Sequence, residues 1–202
     1  MPYSDFSLKD VKSKLGVSLT EDQNLFSNID VIEISATLQE ILSENVPLAR
    51  AINTEKARSE LIIANILVEV RKIFNHKISL FSGIEFNVDK ANNLNGFCDF
   101  IVSASSEQLM LNAPVVTIVE AKNENIIGGL GQCIAEMIAA DIFNKNEHNE
   151  DLKKIYGAVT TGTAWKFLKL EEKQVSIDLD EYSIDSPGKI IGILSKMIEQ
   201  KA

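Results

Sequence analysis

Cysteine and histidine are scarce in this chain. Its 202 residues hold two of each, Cys98, Cys133, His76 and His148. The cysteines have no paired spacing, which argues against a zinc site and against a disulfide framework. Their apolar neighbours predict buried free thiols. The histidines stand apart from each other beside polar residues, so surface positions are expected for both. Positive charge is also short. Lys and Arg number 20 against 29 Asp and Glu, a net charge of −9, with a pI of about 4.8. Phosphate binding usually leaves a basic footprint. Here there are only local pairs, Lys56 with Arg58, Arg71 with Lys72, Lys153 with Lys154 and Lys166 with Lys169, each read as a solvated face. No apolar run is expected to be long enough to cross a bilayer. The start, Met1-Pro2-Tyr3-Ser4-Asp5, lacks the basic head and apolar core of a signal peptide. A soluble cytoplasmic protein is the expectation. Neither repeats nor low-complexity tracts occur. Gly128-Gly129-Leu130-Gly131 lacks the Lys and Ser/Thr of a P-loop, and no Gly-x-Ser-x-Gly elbow is present.

Hydrophobic residues make up 45% of the sequence, enough for one domain with a sizeable core. The first fifty residues read as helical and polar. One short helix is expected over residues 7–15, capped by Ser7 and stopped by Gly16, and a second over 35–45, ending before Pro47. Thr54 is a good N-cap for a long helix reaching residue 74. Strands follow over residues 77–88 (one or two, broken near Ser82-Gly83), 96–104 and 115–122. Residues 123–131 read as a glycine-containing loop, and 132–144 as a helix. Strands are expected at 155–160, 164–170 and 175–179, the last at a sheet edge. A C-terminal helix over 187–200 begins with Pro187 after Ser186. This order predicts an α/β fold, a central mixed sheet flanked by helices. Residues 1–53 form a helical extension to a core domain, 54–202.

The segment Pro114-Val115-Val116-Thr117-Ile118-Val119-Glu120-Ala121-Lys122 carries the most information. Its β-branched run reads as a strand buried on both faces. Alternation puts Glu120 and Lys122 on one side, and burying them is costly unless something offsets their desolvation. Asp99 is a second anomaly, inside Gly96-Phe97-Cys98-Asp99-Phe100-Ile101-Val102. Alternation groups it with Phe97 and Ile101, away from Cys98, Phe100 and Val102. If the two strands are neighbours, Asp99 and Glu120 lie near one place beside Lys122. Two close carboxylates repel, and a divalent cation relieves the repulsion. Magnesium suits such a site because it prefers oxygen ligands and keeps several waters. Lys122 could then orient water or stabilise charge on a phosphate oxygen. Glu60, on the long helix, could bring a third carboxylate; the plainer reading pairs it with Lys56 one turn earlier. Gln132 could hold Lys122 or a phosphate, or be an ordinary first-turn residue.

Together these residues resemble the PD-(D/E)XK nuclease superfamily, the restriction endonuclease-like fold, over residues 54–170. Its core is α-β-β-β-α-β. Glu60 matches the helix acid, with Glu55 and Glu69 on the same helix. Asp99 matches the strand acid, Glu120-Ala121-Lys122 the Glu-x-Lys motif, and Gln132 the glutamine on the next helix. The stretch Tyr156-Gly157-Ala158-Val159-Thr160-Thr161-Gly162-Thr163-Ala164-Trp165-Lys166-Phe167 also resembles bacterial members. The resemblance implies a metal-dependent nuclease acting on phosphodiesters, DNA first. Asp99 and Glu120 would bind Mg2+, or Mn2+ in its place, with Glu60 as an outer partner. A homodimer would suit cleavage of both strands. The acidic surface motivates a rival, a non-catalytic binding or regulatory module with a protein partner. A third reading makes Glu120–Lys122 a structural ion pair and leaves Asp99 to backbone donors.

Overall fold

A computed structural model describes residues 2–149 and 152–199. The chain begins with a 3-10 turn, Tyr3–Asp5, then α1, Leu8–Leu15, and β1, Ser18–Gln23. Helices follow as α2, Ala36–Ile52, α3, Glu55–Arg58, a π-helical turn, Ser59–Ile63, and α4, Ala64–Ile73. Three strands come next, β2, Ser79–Glu85, β3, Phe97–Ser103, and β4, Val115–Ala121. After α5, Ile126–Asn146, come β5, Lys154–Thr160, β6, Ala164–Glu171, β7, Gln174–Asp178, and β8, Tyr182–Ser183; α6, Pro187–Glu199, closes the described chain. The helix expected to end at Gln200 therefore runs to the limit of the described residues.

All eight strands form one mixed sheet, ordered β1-β7-β6-β5-β4-β3-β2, with β8 also paired to β6. Only β1–β7 and β4–β5 run parallel. Helices cover both faces, as the α/β pattern implied. One core joins Ile62, Ile63 and Ile66 to Phe100, Val119, Trp165, Phe167 and Ile190. The other joins Val11, Ile134 and Met137 to Ile101, Ile118, Val159 and Leu168. Strand β4 lies between them and is buried along its whole length, as its β-branched run demands. Cys98 and Cys133 are free and buried, and His76 and His148 are exposed.

Five local expectations change. Helix α2 runs through Pro47 to Ile52. Proline removes one helical hydrogen bond, but Pro47 and Ser43, four residues before it, are exposed, so water reaches the freed carbonyl. Burial of Leu38, Leu42 and Ala49 holds the helix together. Strand β2 passes through Gly83 without breaking. Gly83 takes φ +62°, which glycine tolerates, and pairing resumes on either side, Ser82 with Phe100 and Ile84 with Cys98. Strand β7 is not an edge, because β1 pairs beside it. The segment that forms β1, Ser-Leu-Thr-Glu-Asp-Gln, is polar and largely exposed, so no periodicity announced it. Helix α5 starts six residues early, at Ile126, and absorbs the glycine stretch. Asn125 caps it by accepting the Gly128 N–H at 2.9 Å. A Cβ at Gly129 would sit 2.7 Å from Val159, and one at Gly131 would strike the Phe6 carbonyl. These glycines thus serve close packing, Gly129 against the sheet and Gly131 against the segment before α1, rather than a loop. Finally, the 21 residues of α5 are long and apolar enough, by composition alone, to cross a membrane. Most of that helix is instead buried within the fold, against β4 and β5.

The cap of α2 is testable. The Ser35 hydroxyl accepts the Leu38 N–H at 3.2 Å, and losing such a cap costs about 1 kcal/mol. Ser35→Ala is expected to lower the urea midpoint correspondingly, with an unchanged slope.

Candidate functional site

The C-terminal end of β4 brings the predicted residues into range of one another. Strands β3 and β4 are antiparallel neighbours, and their register ends at Phe100 opposite Val119. One step further, Asp99 comes up beside Glu120. The Asp99 carboxylate accepts the Ala121 N–H at 2.8 Å, which anchors it across the strand pair. On its other side β3 faces Gly83. Here strict alternation fails: Cys98 packs in the core with Ile101, not with Phe100 and Val102. Asp99 thus sits at an irregularity in the sheet, half-buried rather than enclosed.

Asp99 opens on a cleft of about 370 Å³ lined by Glu55, Lys56, Ser59, Glu60, Ser82, Gly83 and Ala121. Three carboxylates face it with one ammonium, so the cleft is acidic. Glu60 lies at this cleft, but its carboxylate is largely exposed and pairs with Lys56 at 3.6 Å, the i,i+4 contact expected of a helix surface. Glu55, at the start of α3, acts more strongly on the site, since its charge bears on both Glu120 and Lys122. Glu69 is elsewhere, accepting the Ser35 N–H and an ammonium hydrogen bond from Lys72. Helix α3 is held in place by Arg58, which donates to the Thr161 carbonyl at 3.0 Å and to Asn53 Oδ1 at 3.0 Å.

Behind the cleft lies a buried chain of side chains. Glu120 is 1% exposed. Its Oε1 accepts from Lys122 Nζ at 2.5 Å, and its Oε2 is buried with no hydrogen-bond partner. Lys122 Nζ also donates to Gln132 Oε1 at 3.1 Å. Gln132 Nε2 in turn donates to Glu136 Oε1 at 3.1 Å. Glu136 is fully buried, and its Oε2 too lacks a partner. Burial, with the charge of Asp99 added, pushes the Glu120 carboxyl up to about 8; Lys122 moderates the rise. Burial pushes Glu136 well above the ordinary carboxyl range, and Glu120 pushes it further. For Lys122, burial favours the neutral amine, but Glu120, with Glu55 and Asp99, outweighs it and raises the ammonium's pKa.

Sequence reasoning missed Glu136 and gave Glu55 no role. Glu136 lies four residues after Gln132, so both project from one face of α5, and a lone carboxylate amid Ile134, Ala135, Met137 and Ala139 was the available signal. Glu55 was hidden because an acid in a first helical turn is ordinary.

The donor set can be tested against magnesium. Among the described residues, no group of three or more His, Cys, Asp or Glu side chains is arranged to hold a metal. Magnesium does not require three, since one or two carboxylates plus waters suffice. Asp99 and Glu120 are oxygen donors near one another, and the unpartnered Glu120 Oε2 leaves a lone pair to satisfy. The residues fit that ion. No family model, curated protein or solved structure matches the chain.

Proposed function

We propose that the chain is a metal-dependent nuclease that hydrolyses phosphodiester bonds in DNA, built on the restriction endonuclease-like arrangement. The observation that carries this reading is the meeting of Asp99, Glu120 and Lys122 at the adjoining ends of β3 and β4, with Gln132 hydrogen-bonded to the Lys122 ammonium. Lys122 has three N–H donors. Two are spent on Glu120 and Gln132, and the third is available to a phosphate oxygen or an attacking water. Asp99 and Glu120 would hold Mg2+ or Mn2+, which would supply water activation and neutralise phosphate charge. When ionised, Glu120 also keeps Lys122 charged, and Gln132 steers it. In the reaction water adds to phosphorus, one P–O ester bond breaks, and the leaving oxygen takes a proton. The acidic cleft, with Glu55, Glu60 and Asp99 around Lys56, repels phosphate until cations shield it, which suits an obligatory metal requirement.

The same acidity supports the rival reading, a non-catalytic module of this fold. A screen decides between them. Supercoiled, linear and single-stranded DNA, with RNA alongside, are incubated with the protein and Mg2+ or Mn2+. The nuclease reading expects DNA cleavage that chelation stops. No cleavage of any substrate, together with no binding of either ion at millimolar concentration, leaves the binding module.

A further inference from the structure

Glu136 is the one member of the buried chain with no part in the proposed chemistry. It is fully buried, and its only side-chain hydrogen bond among the described residues comes from Gln132. Its second oxygen has no partner. Around it α5 packs as core, with Cys133, Ile134, Ala135, Met137 and Ala139 all buried. An apolar side chain would suit that position better, since a buried polar group with half its hydrogen bonding unmet destabilises the fold. What Glu136 supplies is direction.

The Gln132 amide has two unlike ends, an oxygen that accepts and an NH2 that donates. Its oxygen faces the Lys122 ammonium and its nitrogen faces Glu136. Turned over, the amide would set NH2 against ammonium and oxygen against the carboxyl oxygen that now accepts from it. Without Glu136, the nitrogen end has no acceptor, and the amide loses one of the two contacts that hold it. We propose that Glu136 is a positioning residue that fixes the amide of Gln132 and, through it, the ammonium of Lys122 beside Glu120. The proposal rests on the nuclease reading only for the use made of Lys122; the orientation of the amide stands apart from it. A protonated Glu136 still serves, because its carbonyl oxygen accepts from Gln132 Nε2 while the Lys122 ammonium, which has no acceptor, excludes the turned-over amide. Glutamine at 136 would offer the same acceptor at the same reach, aspartate would fall one methylene short, and methionine would offer none of comparable strength.

Those three variants, Glu136→Gln, Glu136→Asp and Glu136→Met, are made in the full chain. Two readouts are taken, the side-chain amide NMR signals of Gln132, assigned by their loss in Gln132→Ala, and steady-state cleavage of DNA with Mn2+. In the wild type and in Glu136→Gln, the two amide protons are expected to be well separated and slow to exchange. In Glu136→Asp and Glu136→Met, they should collapse toward the values of a mobile glutamine. Cleavage should fall about ten- to a hundredfold in those two, the range for residues that orient an active group, as a loss in kcat with KM unchanged. Glu136→Gln should restore it. Methionine at 136 could disturb folding, and the aspartate variant, which keeps the acid, then carries the comparison. Unchanged Gln132 signals in Glu136→Asp, or equal losses in Glu136→Gln and Glu136→Asp, overturn the proposal. If wild type itself cuts nothing, the nuclease reading fails, while the amide signals still decide whether Glu136 orients Gln132.

Discussion

Lys122→Ala is expected to abolish metal-dependent cleavage, with a rate loss of at least about a hundredfold, the usual effect of removing one charge-stabilising donor from an active site. The fold should survive. Removing the ammonium leaves Glu120 buried without a cation, normally a severe loss. Glu120, however, is already pushed up to about 8 by burial and Asp99, and without Lys122 it simply keeps its proton. Lys122→Arg should not rescue activity. The lysine stem passes against Gly129, where even a Cβ would lie 3.0 Å from Lys122 Cε, and a planar guanidinium cannot reproduce the bonds of a compact ammonium. Asp99→Asn is expected to lose activity comparably, for another reason. Asparagine keeps an oxygen for the Ala121 N–H but surrenders the negative charge a metal would need. Rates measured with Mn2+ on one DNA substrate, with circular dichroism as the folding control, check both. Wild-type cleavage by either variant would sink the assignment of roles.

The second large effect concerns stability against pH in metal-free protein. Glu120 ionises near the ordinary glutamate value of 4.5 when unfolded, but at about 8 when folded. Between those values the folded state binds more protons than the unfolded state. Stability therefore falls as pH rises from about 4.5 to 8, with a slope of up to about 1.4 kcal/mol per pH unit. Glu136, raised well above the ordinary carboxyl range by burial, adds to the decline in the same direction. Lys122, whose pKa is raised, contributes stability that is lost only at higher pH, so it does not oppose the trend. Glu69, whose net shift is downward despite burial because Ser35 and Lys72 bond it, loses its contribution only as pH falls below its ordinary value. Urea midpoints, taken with a chelator present, should thus drop steadily from pH 5 to pH 8. Glu120→Gln should shallow the slope, and Glu120→Gln with Glu136→Gln should flatten it. A midpoint that holds level or climbs over this range in the wild type would contradict the burial argument.

Much of the fold is legible because its signals are local. Ser7 and Gly16 bracket α1, and their roles depend on side-chain oxygen and left-handed backbone alone. The run from Val115 to Val119 marks a doubly covered strand wherever it sits. Other signals were overridden by packing. Pro47 suggests a helix end, yet burial of Leu42 and Ala49 on either side of it carries α2 onward. The glycines before Gln132 suggest a loop, yet Gly129 lets α5 lie close to Val159 and Lys122, and Gly131 lets it meet Phe6 and Ser7. Strand β1 has no apolar rhythm and exists because β7 offers it an unpaired edge.

The candidate site divides the same way. By itself the sequence determined which residues were out of place: an Asp within one apolar strand and a Glu-x-Lys closing another, because a charge amid β-branched residues is costly in any fold. Only the tertiary structure decided how they meet. Pairing of β3 with β4 brings Asp99 to Glu120, the early start of α5 delivers Gln132 to Lys122, and one further helical turn buries Glu136 behind them. Glu60 is left at the cleft with Lys56, while the charge of Glu55 reaches inward. Such distances depend on strand register and helix placement, which arise from contacts between residues far apart in the chain.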